Sequence, residues 1–189
     1  MALDGWSHDQ SAGRPQDRGC TGAKKGAQDQ AVGPSPTDRA KPGTKRNLLT
    51  DGAGIPVGLA IDGANRNDSK LVEATLTCLL AERPEPTEEA PQNLCLDAGY
   101  DYDFVRDLVA EFGFTAHIQS RGEEAQAIKE EIKEEAGYRA RRWVVERTHS
   151  WMNRFRRILI RWEKKAVNYL ALLHLVCAYI TFRQAGLMG

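Results

Sequence analysis

Paired cysteines are missing from this chain. Its four cysteines, Cys20, Cys78, Cys95 and Cys177, are far apart, and no C-x-x-C pair occurs. That removes the ligand spacing of a zinc site and of a redox pair. Cys78, Cys95 and Cys177 lie in apolar contexts and read as small core residues. Their use fits a reducing compartment with no disulfide framework. Net charge is missing too: 26 Lys+Arg balance 26 Asp+Glu, so total charge names no partner. No secretory signal opens the chain. The apolar run near the C-terminus is interrupted by His174 and falls short of a membrane span, so it reads as a buried helix with no membrane partner. No internal repeat is visible, and 189 residues suffice for one domain with its own core.

What is present is an uneven distribution of charge. Residues 82–89 carry four acids and one arginine, and residues 123–135 carry six acids against two lysines. The run RRWVVERTHSWMNRFRRILIRWEKK, residues 141–165, then holds nine Lys/Arg, three Trp and only two acids, Glu146 and Glu163. A neutral protein with one strongly basic segment can still dock a polyanion locally. Arginine offers bidentate phosphate contacts and tryptophan a stacking surface, which points to nucleic acid. The plainer alternative is a solvated helix face.

Along the chain, residues 1–45 have no hydrophobic period and read as loop or disorder. Two β-rich runs, 46–50 and 55–61, flank Asp51-Gly52-Ala53-Gly54 and predict a hairpin. A turn at "ANRND" supplies Asn67, Asp68 or Ser69 as N-cap for a helix over 70–80, with Leu71, Ala74, Thr75 and Cys78 on one face. A proline-rich loop leads to a short buried strand ending at Asp97. A helix over 102–112 closes at Gly113, and "FTAHIQ" alternates as a strand. After a charged insertion, a long helix over 139–162 and an apolar core helix over 168–183 complete the order. Strands alternating with helices after a hairpin predict an α/β fold, a mixed sheet covered by helices.

Two acids stand out. Asp97 follows Leu94-Cys95-Leu96 at the carboxyl end of a strand, where open α/β sheets place their sites. It reads either as a site carboxylate or as a turn residue before the next helix. Glu146 shares a helix face with His149, Ser150, Asn153 and Arg157, apart from an apolar stripe of Val144, Trp151, Phe155, Ile158, Leu159 and Trp162. It reads either as a site carboxylate or as a surface acid paired with Arg142 and Arg147. Two-metal phosphoryl transfer needs carboxylates from separate elements converging on ions about 3.5–4 Å apart. Both residues have the right chemical type for Mg²⁺, and a third acid is expected on the first strand.

The stretches "GPSPTDRAKPGTKRNLLTDGAGIPVGLAIDGANRNDSK", "LCLDAGYD" and "RRWVVERTHSWMNRFRRILIRWEKK" closely resemble the catalytic core of bacterial insertion-sequence transposases of the Asp-Asp-Glu class. The resemblance covers about residues 17–183, and its most specific parts are Val145-Glu146-Arg147-Thr148 and Trp151…Arg154-Phe155-Arg156-Arg157. It implies an RNase H-like mixed sheet flanked by helices over 46–183, a poorly ordered 1–45 holding the remnant of the first catalytic strand, and a tail over 184–189. It implies Mg²⁺, with Mn²⁺ as an alternative, held by Asp17, Asp97 and Glu146 for strand cleavage and strand transfer. Asp4 is a second candidate for the first acid. It implies contact with double-stranded DNA, both transposon ends and target, through Arg142, Arg147, His149, Asn153, Arg154, Arg156, Arg157 and Arg161. Asn153 stands where the family often has lysine. The implied setting is a homo-oligomer when active, at the nucleoid in a bacterial cytoplasm. The implied chain is truncated, since an N-terminal end-binding domain is expected and not found. The alternative is a catalytically inactive remnant that binds DNA or regulates an intact transposase.

Overall fold

A computed structural model describes residues 2–4, 31–79, 83–118 and 143–186. Within them the strands are β1 (Ala2–Asp4), β2 (Gly33–Pro34), β3 (Pro42–Asp51), β4 (Pro56–Gly63), β5 (Asn93–Leu96) and β6 (Thr115–Ile118). The helices are α1 (Val72–Thr77), α2 (Asp103–Glu111), α3 (Trp143–Met152), α4 (Arg156–Leu159) and α5 (Ala166–Gln184), with 3₁₀ turns at Asp68–Leu71 and Ala98–Tyr100. The strands form one mixed sheet in the order β4-β3-β1-β5-β6, and β2 joins the start of β3. β3 and β4 form the expected hairpin, β1 runs parallel to β3 and antiparallel to β5, and β5 is parallel to β6. The α/β class and the helix-flanked mixed sheet are as the sequence implies.

β3 contributes to both faces because successive side chains of a strand point opposite ways. Leu49 joins Val72, Leu76, Leu94, Leu96, Val105 and Val109 in a core under α1 and α2. Leu48 joins Met152, Ile158, Tyr169, Leu173 and Ile180 in a second core under α3, α4 and α5. Asn67 caps the first 3₁₀ turn by accepting from the Ser69 N–H at 3.1 Å. The buried side of the following helix is Leu71, Val72, Thr75 and Leu76; Ala74, expected on it, faces out.

The β3–β4 turn seats α3. The Asp51 carboxylate accepts from the N–H groups of Ala53 and Ile55, at 3.0 and 2.7 Å, closing an Asx-type turn. Gly54 holds φ +88°, a region that side chains rarely adopt. A Cβ there would lie 2.8 Å from Arg147 Nη2 and 3.0 Å from Thr148 Oγ1. The missing side chain lets the Thr148 hydroxyl donate to the Gly54 carbonyl at 2.8 Å and Arg147 donate to the Ala53 carbonyl at 2.6 Å. At the other end of α3, Arg46 donates to Asn153 Oδ1 at 2.9 Å. His149 lies between, half-buried. Burial, then the Arg46 guanidinium, pushes its imidazole down to about 4.

Three expectations are corrected. The helix over 139–162 breaks after Met152, turns through Asn153–Phe155 and resumes only as the single turn α4. Asparagine favours turns, and Ile158 is drawn into the core, where its carbonyl accepts from Tyr169 at 3.0 Å. As a result Leu159 and Trp162 face solvent, Trp162 at 71% exposure, instead of joining the apolar stripe. α5 is a longer helix than expected, 19 residues, long and apolar enough by length and composition to cross a membrane. It buries Tyr169, Leu173, Val176, Cys177 and Ile180 but leaves Val167, Leu175 and Phe182 exposed, so it is not buried all round. Residues 31–45, expected to be irregular, contain β2 and the start of β3. They are fixed by distant partners rather than by periodicity: Thr44 Oγ1 and Arg161 Nη1 both donate to the Ala31 carbonyl, at 2.7 and 3.0 Å.

Thr148→Val keeps the buried shape and removes the donor to Gly54. Urea unfolding should show a loss of about 1–2 kcal/mol, and Gly54→Ala should cost more because it adds both strain and a clash. The His149 shift makes a second expectation. The unfolded imidazole titrates near 6.5 and the folded one near 4, so the unfolded chain binds the extra proton between these values. Stability is complete above pH 6.5 and falls as pH drops towards 4, by up to about 3 kcal/mol at 1.36 kcal/mol per unit. His149→Gln should flatten that part of the stability profile.

Candidate nucleic-acid interface and acidic positions

The basic run, read as one surface, is divided by the fold into internal struts and an exposed corner. Arg161 is a strut. Its Nε donates to the Glu163 carbonyl at 2.9 Å, and Nη1 reaches both the Ala31 carbonyl and Thr44 Oγ1. Its Nη2 donates to the Lys164 carbonyl at 3.3 Å, and the guanidinium lies over the Tyr169 ring. Arg147 is also engaged: besides Ala53, it packs over the Trp143 and Trp151 rings, with its guanidinium carbon 4.7 and 4.8 Å from their centroids. Those two indoles sit four residues either side of it, the helical neighbours that an arginine can cover. Asn153 is held by Arg46, and His149 faces inward beside it. Arg142 lies outside the described residues.

Arg154, Arg156 and Arg157 remain exposed at the corner between α3 and α4. Arg157 pairs with Glu163 at 3.0 Å; the arginine side chain is 72% exposed and the glutamate 8%. The corner is rigid for its length, because Met152 and Ile158 on either side are buried. It therefore presents three guanidinium groups on a fixed backbone.

The acids are distributed differently. Asp97 ends β5 as expected and is exposed, immediately before the 3₁₀ turn Ala98–Tyr100. Its carbonyl accepts from the Tyr100 N–H at 2.9 Å. Glu146 is exposed on α3. The register relates the two. Ala2 stands opposite Thr50 on one side and Cys95 on the other, and Leu3 stands opposite Asp51 and Leu94. Counting along the strands, Leu48 is level with Asp97, and the β3–β4 turn lies beyond Asn93. Glu146 is two residues before Thr148, which touches that turn. Asp97 lies at the end of β5 away from that turn, and Glu146 lies on α3. Asp4 is level with Asn93, four residues or about 13 Å from Asp97. Asp17 lies outside the described residues. Among the described residues no three His, Cys, Asp or Glu side chains come together as a metal site.

Sequence reasoning passed over the polar groups around Asp97. Asn47 is 5% exposed on β3, and Tyr100 packs on the core under α1 and α2. Burial, reinforced by the Asp68 and Asp97 carboxylates, raises the Tyr100 hydroxyl well above its ordinary value, while the Asn47 side chain opposes the shift. The only signal in the sequence is a polar residue inside a β-rich run. Arg46, which fixes one end of α3, carries no stronger signal.

Comparison with known proteins agrees with the sequence reading. The family model described as Transposase DDE domain matches residues 10–181. A putative transposase for insertion sequence element IS402, from Burkholderia cepacia, is 36% identical over 161 residues, which is 82% of this chain and 71% of that protein. No solved structure matches the chain. With the matched region spanning β2 to α5, the chain belongs to the DDE-domain transposases of insertion sequences.

Proposed function

We propose that the chain binds duplex DNA through the exposed arginines of the α3–α4 corner, as part of insertion-sequence transposition at the bacterial nucleoid. The observation that carries this is the division of the basic run. Arg46, Arg147 and Arg161 are committed to internal carbonyls, indoles and the Asn153 amide, whereas Arg154, Arg156 and Arg157 are exposed on a backbone anchored at both ends. Exposed arginines on such a turn, Arg157 included although it also pairs with Glu163, are suited to bidentate phosphate contact. Trp162, exposed beyond α4, adds an aromatic surface beside it. The ligands in this reading are transposon ends and target DNA, and the active form is a homo-oligomer.

The family's chemistry uses divalent metal, and the resemblance assigns Asp17, Asp97 and Glu146 to it. Two ions about 3.5–4 Å apart need carboxylates that converge. Asp97 at the end of β5 and Glu146 on α3 are exposed carboxylates on separate elements, the donor type that Mg²⁺ takes.

DNA binding by the corner is tested by its salt dependence. Replacing Arg154, Arg156 and Arg157 with alanine should reduce the slope of log affinity against log salt by about two to three units, since each phosphate contact contributes about 0.9. The measurement is fluorescence anisotropy with a duplex oligonucleotide over a salt series. Arg161→Met should leave that slope unchanged while lowering the melting temperature. An unchanged slope in the triple variant would mean that the corner is only solvated.

A further inference from the structure

The segment leading into β3 folds back as a hairpin with a fixed root. β2 pairs with the start of β3 at Gly33–Gly43 and Pro34–Pro42. Thr44 Oγ1 and Arg161 Nη1 both donate to the Ala31 carbonyl. The Ala64 N–H donates to the Gly43 carbonyl at 3.0 Å, and the Asn65 side chain fills the space beside Gly33. The loop above this root is closed by its own bonds. Ser35 N–H donates to the Lys41 carbonyl at 2.9 Å, Ala40 N–H to the Ser35 carbonyl at 3.1 Å, and Lys41 N–H to the Asp38 carbonyl at 2.9 Å.

At the tip, Arg39 and Ala40 hold φ +48° and +58°, two successive non-glycine residues in the left-handed region. That conformation is unfavourable for L-residues. It persists only where the surroundings over-determine it, and it clusters at functional positions. Core packing does not account for it, since residues 36–42 are all exposed. Asp38 is occupied by Lys41 at 3.3 Å, and among the described residues Arg39 has no charged partner. The loop therefore presents one unbalanced guanidinium on a fixed backbone.

The hairpin and the arginine corner border the same segment. Arg161 grips the hairpin root, and Glu163, two residues on, pairs with Arg157 of the corner at 3.0 Å. Along β3, Thr44 and Arg46 lie two residues apart and so share a face. Thr44 receives Arg161, and Arg46 holds Asn153, the residue before Arg154. Lys164 and Lys165 are exposed between the two elements, whereas the Glu163 side chain is buried.

We propose that the tip of this hairpin is a second DNA-contact element, in which Arg39 takes a backbone phosphate of the same duplex that the α3–α4 corner holds. The shared duplex rests on the reading of the corner given above; the hairpin contact itself does not. A guanidinium fork fits phosphate oxygens, and a closed loop gives up little freedom when it docks. Contact of this kind positions the protein on the duplex and reads no base sequence.

The test is fluorescence anisotropy of the full chain with a duplex oligonucleotide long enough to reach both elements, over a salt series. Arg39 is exposed, so Arg39→Ala retains the fold, which urea unfolding checks. This variant should flatten the slope of log affinity against log salt by about 0.9, the share of one phosphate. Arg39→Lys keeps the charge and should restore the native slope. Arg183→Ala, at the far end of α5 and roughly 25 Å along that helix from its start, should leave the slope unchanged. Combining Arg39→Ala with the corner triple variant should add the two losses. A native slope in Arg39→Ala, with the corner variant still flattened, overturns the hairpin contact and leaves the corner reading intact. Equal flattening in Arg183→Ala overturns it as well, because the slope would then report total charge alone. Flattening in Arg39→Ala with a native slope in the corner variant upholds the hairpin contact and removes the corner reading.

Discussion

The contact between Gly54 and Thr148 sets the orientation of half the molecule. A helix can lie directly on a β-turn only where the turn presents backbone and no side chain. Gly54 provides that surface in a left-handed conformation, and the Asp51 carboxylate holds the turn closed behind it. Thr148, wholly buried, supplies the short donor that the buried Gly54 carbonyl needs. With that point fixed and Arg46 holding the far end, the rotation of α3 is determined. Met152 and Val144 face the core, His149 and Asn153 face Arg46, and Glu146 and Ser150 face solvent. The exposed arginine corner is then the place where the chain leaves the helix and turns back towards α5.

The basic run illustrates why counting charges overstates a binding surface. Guanidinium groups here serve three different purposes. Arg161 satisfies three backbone carbonyls and a hydroxyl between the C-terminal segment and the start of β3. Arg147 covers two indoles and reaches a turn carbonyl. Among the described arginines of the run, those at the corner are the exposed ones. The two acids of the run are likewise unequal. Glu163, buried to 8% exposure, anchors Arg157, whereas Glu146 stands exposed. Arginine suits all three uses because its stem packs on apolar surface while its planar head bonds in several directions.

The hairpin, the strand ending at Asp97, the helix before Gly113 and the α/β class were all legible in the sequence. In each case local signals agreed: turn residues between β-rich runs, or an apolar run followed by glycine. The break after Met152 was not legible, because the apolar spacing continues unbroken through Ile158 and Leu159 and the decision rests on Asn153 meeting Arg46, 107 residues away in sequence. The ordered 31–45 segment was hidden for the same reason, its partners Thr44 and Arg161 being distant or polar. The place of Asp97 at a strand end and of Glu146 on a helix was readable from local pattern. Their mutual position was not, since it depends on strand register and on the longitudinal seat of α3, neither of which leaves a periodic trace.

Register also explains how the fold persists around so short a central strand. β1 pairs over only two residue pairs with β3 and three with β5, yet it joins the hairpin half of the sheet to the β5–β6 half. Both cores also have a direct link through β3. Leu48 and Leu49, adjacent on β3, belong to the two different cores, so β3 ties both helical layers together through its own side chains. β5 is held against the same α1–α2 layer by Leu94 and Leu96, both almost fully buried. Apolar burial on this scale, about 25 cal/mol per Å² removed from water, outweighs the few ladder hydrogen bonds that three residues can add. The two helical layers, the seated helix and the arginine corner are tied together through β3 and β5.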